Sequence, residues 1–289
     1  MKYAALFLIV YFLAGCGEAG MAGNVKFKVG AGVGTLMADN PGLFSSECSD
    51  EIGVCLHKFK FPFASSNLPS VTVLVPGGGP DLQISNVVSA KVFDLREAEG
   101  KLNSVDLTLQ GVPSHSQHKV AKDYAYGIIR KIQGAGWRRY LSPKDPRIAG
   151  AQSVKIPVYN EVSGVRVKSH PWFDSAYEMS DEQWLSVSGL YNWYFYNNGS
   201  YIVFRVQRSQ SEQDAAGQAS YLFTLVVESE ESVWRQAFAP GDKAEWKALL
   251  PQLIESYRTR REALEDKAEQ EGIVIDRSIE DAPISVLHK

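Results

Sequence analysis

The chain carries 289 residues, with 30 Lys and Arg against 33 Asp and Glu, a formal net charge of −3. That mildly acidic balance leaves no basic footprint, so no nucleic-acid partner is expected. Apolar residues make up 45% of the chain and aromatics 11%, which excludes a disordered polymer and provides for a sizeable core.

At the N-terminus, Lys2 is followed by an apolar run from Ala4 to Phe12 and then by Leu13-Ala14-Gly15-Cys16. A basic start, a short apolar stretch and small residues before a cut site have the order of a secretory signal peptide. The run is too short to span a bilayer, which takes about 20 residues. The ending Leu-Ala-Gly-Cys resembles the lipobox of bacterial lipoproteins. The resemblance implies removal of residues 1–15, lipidation of Cys16 and attachment to a membrane through the N-terminal lipid. Gly17, where inner-membrane lipoproteins of the enterobacterial type carry Asp, implies delivery to the outer membrane, facing the periplasm.

Residues 16–46 read as an acylated, Gly-rich tether with one strand, Val25 to Val29. The run Gly30-Ala31-Gly32-Val33-Gly34 lacks the spacing of a dinucleotide fingerprint and reads as a loose loop. Cys48 and Cys55 form an even pair in an exported chain, so a disulfide is expected, contributing on the order of 2–3 kcal/mol and pinning a loop ahead of the strand Leu56 to Phe63. Further strands are expected at Val71 to Val75, Val87 to Leu95 and Leu102 to Leu109. The period then changes, and Val120, Tyr124, Ile128 and Ile132 predict an amphipathic helix over Gln117 to Gln133. Trp137 to Leu141 returns to strand. Residues 47–149 thus read as a first α+β half.

Residues 150–289 read as a second. Short strands are expected at Val154 to Tyr159 and Val162 to Val167, around an Asn160-Glu161 turn. Ser180 and Gln183 have capping-box spacing ahead of a short helix. Tyr191 to Tyr196, Tyr201 to Gln207 and Tyr221 to Val227 predict an antiparallel set, the first hairpin turning at Asn197-Asn198-Gly199. A long helix begins at Asp242, with Glu245 in capping-box position, and Pro251 predicts a kink or break. The tail from Ile273 reads as extended. The fold class is α+β: antiparallel sheets covered by helices on one face, in two successive strand-rich halves each closed by a long helix.

Chemistry has little local support. His115 and His118 sit three apart and His170 stands alone, with no third ligand marked, so no metal and no cofactor is expected. Asp94, Glu97, Glu99 and Asp106 flank a hairpin and read as solvated charges. Glu228-Ser229-Glu230-Glu231 is a compact acidic segment that a partner could read. There is no G-x-S-x-G or H-E-x-x-H motif, and a dispersed Ser, His and Asp triad has no local mark. No enzyme activity is expected. Trp172 and Phe173, and the polar loop opening at Arg208, are the candidate partner-binding residues, because aromatics and arginines anchor interfaces.

In form, the lipobox at Leu13 to Cys16, the α+β body and the segments Gly134-Ala135-Gly136-Trp137-Arg138-Arg139-Tyr140 and Asp181-Glu182-Gln183-Trp184 resemble the periplasmic lipoprotein immunity proteins that neutralise type VI secretion effectors, lipases among them. The resemblance implies a protein partner, a secreted toxic effector whose active site is covered. The alternative is a structural or assembly lipoprotein of the cell envelope.

Overall fold

The computed structural model describes residues 23–49, 51, 53–95, 100–211 and 215–288. The first part of the chain forms β1 (Asn24–Lys28), α1 (Val33–Asp39), β2 (Ser45–Ser49), β3 (Val54–Lys60), β4 (Ser70–Leu74), β5 (Leu82–Ile84), β6 (Val87–Leu95), β7 (Ser104–Leu109), β8 (Ser116–Gln117), α2 (His118–Gly134) and β9 (Arg138–Arg139). The second part forms β10 (Glu161–Val162), β11 (Val165–Arg166), α3 (Asp181–Ser186), β12 (Leu190–Asn197), β13 (Ser200–Ser209), β14 (Gln218–Ser229), α4 (Glu230–Arg235) and α5 (Trp246–Gln270). The α+β class stands.

The main sheet runs β2-β3-β6-β7-β14-β13-β12-β9, with β8 also on β14, and every pair in it is antiparallel. At its centre β7 pairs with β14, Val105 opposite Val227 and Leu109 opposite Phe223, so one sheet runs through both segments of the sequence. A small second sheet has the order β1-β4-β5, and its β1–β4 pair is parallel, where only antiparallel pairing was expected.

Period-two alternation sorts each strand onto two faces. One face carries Phe59, Ala90, Val92, Val105, Leu107, Leu109, Phe223, Leu225, Val227, Ile202, Phe204, Trp193 and Phe195, all buried. We call it the inner face. The buried side of α2 (Ala121, Ala125, Ile128, Ile129, Ile132) and the apolar residues of the small sheet share this core. Within it Trp184 and Tyr191 stack at 4.1 Å between ring centroids, and Trp193 stacks on Phe204 at 5.8 Å.

The outer face is covered at one end only. Tyr196 and Tyr201 point there and pack with Tyr140, Val233 of α4 and Ala282. Trp234 of α4 in turn meets Trp246, Leu250 and Ile254 of α5. The two long helices therefore do not share a face as the sequence suggested: α2 lies on the inner side, while α4 brings α5 to the outer side.

Several local expectations hold. β12 and β13 turn through Asn198 and Gly199 at φ 43° and 72°, the two positive values a type I′ hairpin requires. The Ser180–Gln183 capping box is formed in both directions. Others are corrected. Residues 33–39 are a short helix, because Val33 and Leu36 bury against the core and outweigh the glycines around them. The strand expected at Val154 to Tyr159 is absent: Gly150–Lys155 is a 3-10 turn and no strand follows before β10, with Gly150 so close to Tyr177 that an added Cβ would lie 2.2 Å from the Tyr177 Cβ. The small hairpin β10–β11 turns at Ser163 and Gly164, not at Asn160-Glu161. α5 starts at Trp246 and runs unbroken through Pro251, and the Asp242–Glu245 capping box is not formed. Pro251 falls early in the helix, where it removes one main-chain bond without splitting the element.

Candidate functional site

Cys16 and the run before it lie outside the described residues. Cys48 and Cys55 are joined by a disulfide. They stand directly opposite each other on the β2–β3 hairpin, so the bond staples two strands instead of pinning a loop. Three other side chains of β2 tie to β3 as well. Ser45 Oγ donates to the Lys58 carbonyl at 3.1 Å, Ser46 Oγ bonds His57 Nδ1 at 2.7 Å, and Glu47 accepts from Lys58 Nζ at 2.6 Å. β2 is the edge of the main sheet, and all five of its residues are exposed.

Ser46, His57 and Asp94 share the inner face at this edge. The Asp94 carboxylate lies 4.0 Å from His57 Nε2, beyond hydrogen-bond length. Sequence spacing alone could not join residues from three strands. The order hydroxyl, imidazole, carboxylate is that of a nucleophilic triad. Ser46, however, stands on an exposed strand, and the cavities described below are lined by other residues. We read the group as a cross-strand pin of the hairpin.

Away from α4, the outer face is open. From the β2 edge inward it presents Leu56, Phe93, Lys91, Asp106, Thr224, Arg205 and Asn192, with Leu222 and Leu190 at the far end of the same face. Phe93, Leu190 and Leu222 are each about two-fifths exposed, at 39%, 40% and 39%. Burial among its neighbours raises the Asp106 carboxyl above its ordinary value, and the Lys91 and Arg205 charges pull partly against that.

Trp172 and Phe173 are corrected as partner-binding residues: both are buried. The Trp172 indole donates to the carbonyls of Ser153 and Ile156 at 3.2 and 3.1 Å, and Phe173 meets the Trp193 ring edge-on at 5.5 Å. They are core because the loop carrying them folds under the sheet end. Arg208 is half-buried and committed within the fold. Its guanidinium donates to the carbonyls of Trp184, Leu185 and Val187 at 3.3, 3.0 and 2.7 Å, satisfying the C-terminal end of α3.

The histidines do not converge. His118 Nδ1 bonds the Tyr221 hydroxyl at 2.6 Å. His170 is 1% exposed; its Nδ1 accepts from the Trp172 amide, and its Nε2 meets the Glu161 carbonyl at 3.1 Å. Burial lowers the His170 pKa to about 4, so the ring stays neutral. Among the described residues no group of three His, Cys, Asp or Glu is placed to hold a metal. Asp94 and Asp106 fall on opposite faces of the sheet, and Glu97 and Glu99 lie outside the described residues.

The acidic segment works inside the fold. Glu230 accepts from the Ser285 amide and hydroxyl and from the Val286 amide at 2.7–3.0 Å, tying the C-terminal segment to α4. Glu228 accepts from Ser232 Oγ and Gln236 Nε2. Two cavities adjoin it. One of about 370 Å³ is lined by Lys101, Asn103, Glu230, Trp246, Lys247 and Val286. The other, about 270 Å³, is lined by Tyr140, Lys144, Lys168, Glu228, Trp234 and Tyr257. A third, of about 240 Å³, lies by Lys155, Glu161 and Glu271. In the second, the Lys144 and Lys168 ammoniums lie 5.3 and 4.9 Å over the Tyr257 and Tyr194 rings.

No family model, curated protein or solved structure matches this chain. Among the described residues no helix is long and apolar enough to cross a membrane.

Proposed function

We propose that this protein is a membrane-anchored periplasmic binding protein, an immunity protein that binds and blocks a type VI secretion effector of the lipase type. The observation that carries the reading is the open outer face of the main sheet. The end carrying Tyr196 and Tyr201 is closed by α4 and α5, while the broad remainder offers exposed Phe93, Leu190 and Leu222 among Lys91, Asp106 and Arg205. Apolar anchors set in mixed charge are the composition of a protein-binding surface. The Cys48–Cys55 bond accords with an oxidising compartment, as the Leu13 to Cys16 pattern does with export. Blocking needs only a complementary surface and no chemistry from this chain.

The test is protection of cells given a periplasm-targeted, lipase-type effector encoded beside this gene, paired with stoichiometric inhibition of that effector in purified form. Protection lost on Cys16→Ser, with inhibition in solution retained, fits an anchored blocker. An unaltered protein that neither binds nor inhibits the effector overturns the reading. So does hydrolysis by the purified chain that is abolished by Ser46→Ala or His57→Gln.

A further inference from the structure

The β2 edge has a property that none of its side chains reveals. In an antiparallel pair, opposed residues alternate between a wide pair that exchanges main-chain bonds and a narrow pair that does not, with Cα atoms about 5.5 and 4.5 Å apart. Cys48 and Cys55 have Cα atoms 4.0 Å apart and so form a narrow pair. Ser46 and His57, two positions along, form another. The amides and carbonyls of Ser46 and Cys48 therefore aim away from β3, off the end of the sheet. Among the described residues no group pairs with them, and the whole strand is exposed.

Edge strands are normally protected by lysines, prolines, bulges or brevity. Other edges in the molecule follow that practice. β1 carries Lys26 and Lys28 on its exposed side, β9 has two residues and β5 three. β2 has five residues, no proline and no lysine, and its single charge, Glu47, is neutralised by Lys58. The disulfide, the Ser46–His57 bond and the Glu47–Lys58 pair hold it in place. The strand is pre-organised, and what it leaves unsatisfied is main chain.

We propose that the free edge of β2 is where the partner protein adds an extended strand to the main sheet; the inference rests on the binding reading above. Unpaired main-chain groups in strand geometry call for the same groups on another strand, and pre-organisation lowers the cost of docking it. The edge is continuous with the open outer face, where Glu47, Leu56 and Phe93 form one row running inward. A guest strand whose outward side chains are apolar continues that row over Leu56 and Phe93. A second copy is the poorer occupant: pairing along one five-residue strand falls far short of the roughly 1,200 Å² a standing interface buries.

The experiment uses the purified full-length body, the neighbouring effector as probe and two variants. Ser46→Pro deletes an outward amide, the one kind of strand position where proline leaves the internal ladder intact. Ser46→Ala removes the side-chain bond to His57 and keeps the amide. The expected result is effector binding at least roughly tenfold weaker for Ser46→Pro and within about twofold for Ser46→Ala. In the unaltered protein, the Ser46 and Cys48 amides should exchange freely alone and become protected in the complex. This second readout decides the matter if Ser46→Pro does not fold. Effector binding with both amides still exchanging freely overturns the edge and leaves the binding reading standing. No effector binding at all overturns both. Amides protected without effector, in a dimer that Ser46→Pro dissociates, assign the edge to a second copy and overturn the proposal.

Discussion

The main sheet is covered in two different ways, one on each face. On the inner face the cover is dry: α2, the small sheet and a stack of Trp184, Tyr191, Trp193 and Phe204 meet it with apolar surface. On the outer side α5 adds buried charge to its apolar contacts. Arg147 clasps Glu265 with its Nε and one terminal nitrogen at 2.9 and 2.7 Å and adds its own amide at 2.8 Å. Arg261 donates to the carbonyls of Asp145 and Ser142 and pairs with Asp281 at 2.7 Å. Apolar cover gives stability in proportion to area and tolerates small shifts. Charged cover gives direction, and fails abruptly when one partner is lost.

The sharpest break in that comparison is Trp193→Ala. Trp193 is fully buried at the centre of the inner stack, and truncation should cost about 3–5 kcal/mol, read as a fall in the denaturation midpoint with an unchanged slope. Glu265→Ala tests the opposite cover. It removes three hydrogen bonds from Arg147, whose side chain is partly exposed, and should cost about 3 kcal/mol, with protection from hydrogen exchange lost first along α5. Burial pushes the Glu265 carboxyl up, but the Arg147 hydrogen bonds and charge outweigh it and hold the group below its ordinary value. Its contribution is therefore complete above the unfolded value near pH 4.3 and disappears as pH falls through the folded one. The variant should lack that acid limb.

His170 probes the joint between the two covers. Its folded pKa of about 4 lies below the unfolded value of about 6.5, so the unfolded chain takes up the proton first. Stability should fall by up to about 3 kcal/mol between pH 6.5 and 4, and His170→Gln should flatten the curve there. A urea series at fixed pH values measures it. The smallest effect is expected on the open part of the outer face, where Leu222→Ser should stay within about 0.5 kcal/mol of the parent. A larger loss would mean that something already covers that face.

The inner cover was the legible one. Alternation placed Val87–Leu95 at its observed bounds and the β12–β14 set within three residues of theirs, and three-to-four spacing placed α2 within one, because each element buries a regular apolar face. The charged cover was not. Arg261 and Glu265 occupy the polar half of α5 and gave no apolar signal, yet they are 4% and 2% exposed. Arg147, which Glu265 meets, and the carbonyls that Arg261 meets lie more than a hundred residues away, and no local pattern encodes such contacts. β2 was missed for a related reason. Its Ser45-Ser46-Glu47-Cys48-Ser49 has no alternation, since its strand character comes from β3 and the disulfide. The two aromatic residues taken for interface anchors show the converse error: Trp172 and Phe173 lie in a loop segment that the structure packs inside.

The β7–β14 pairing also fixes an order of events in time. Val105 and Val227 meet at the centre of the sheet although more than a hundred residues separate them in the chain. The strand sets β2-β3-β6-β7 and β12-β13-β14 can each form from nearer neighbours, but the shared core is not closed until they meet. Until β14 is available, β7 is a bare, apolar edge. Folding should accordingly be slow for a chain of this size, with a late step in which two preformed strand sets zip together. A chain shortened before residue 218 should aggregate instead of forming half a protein.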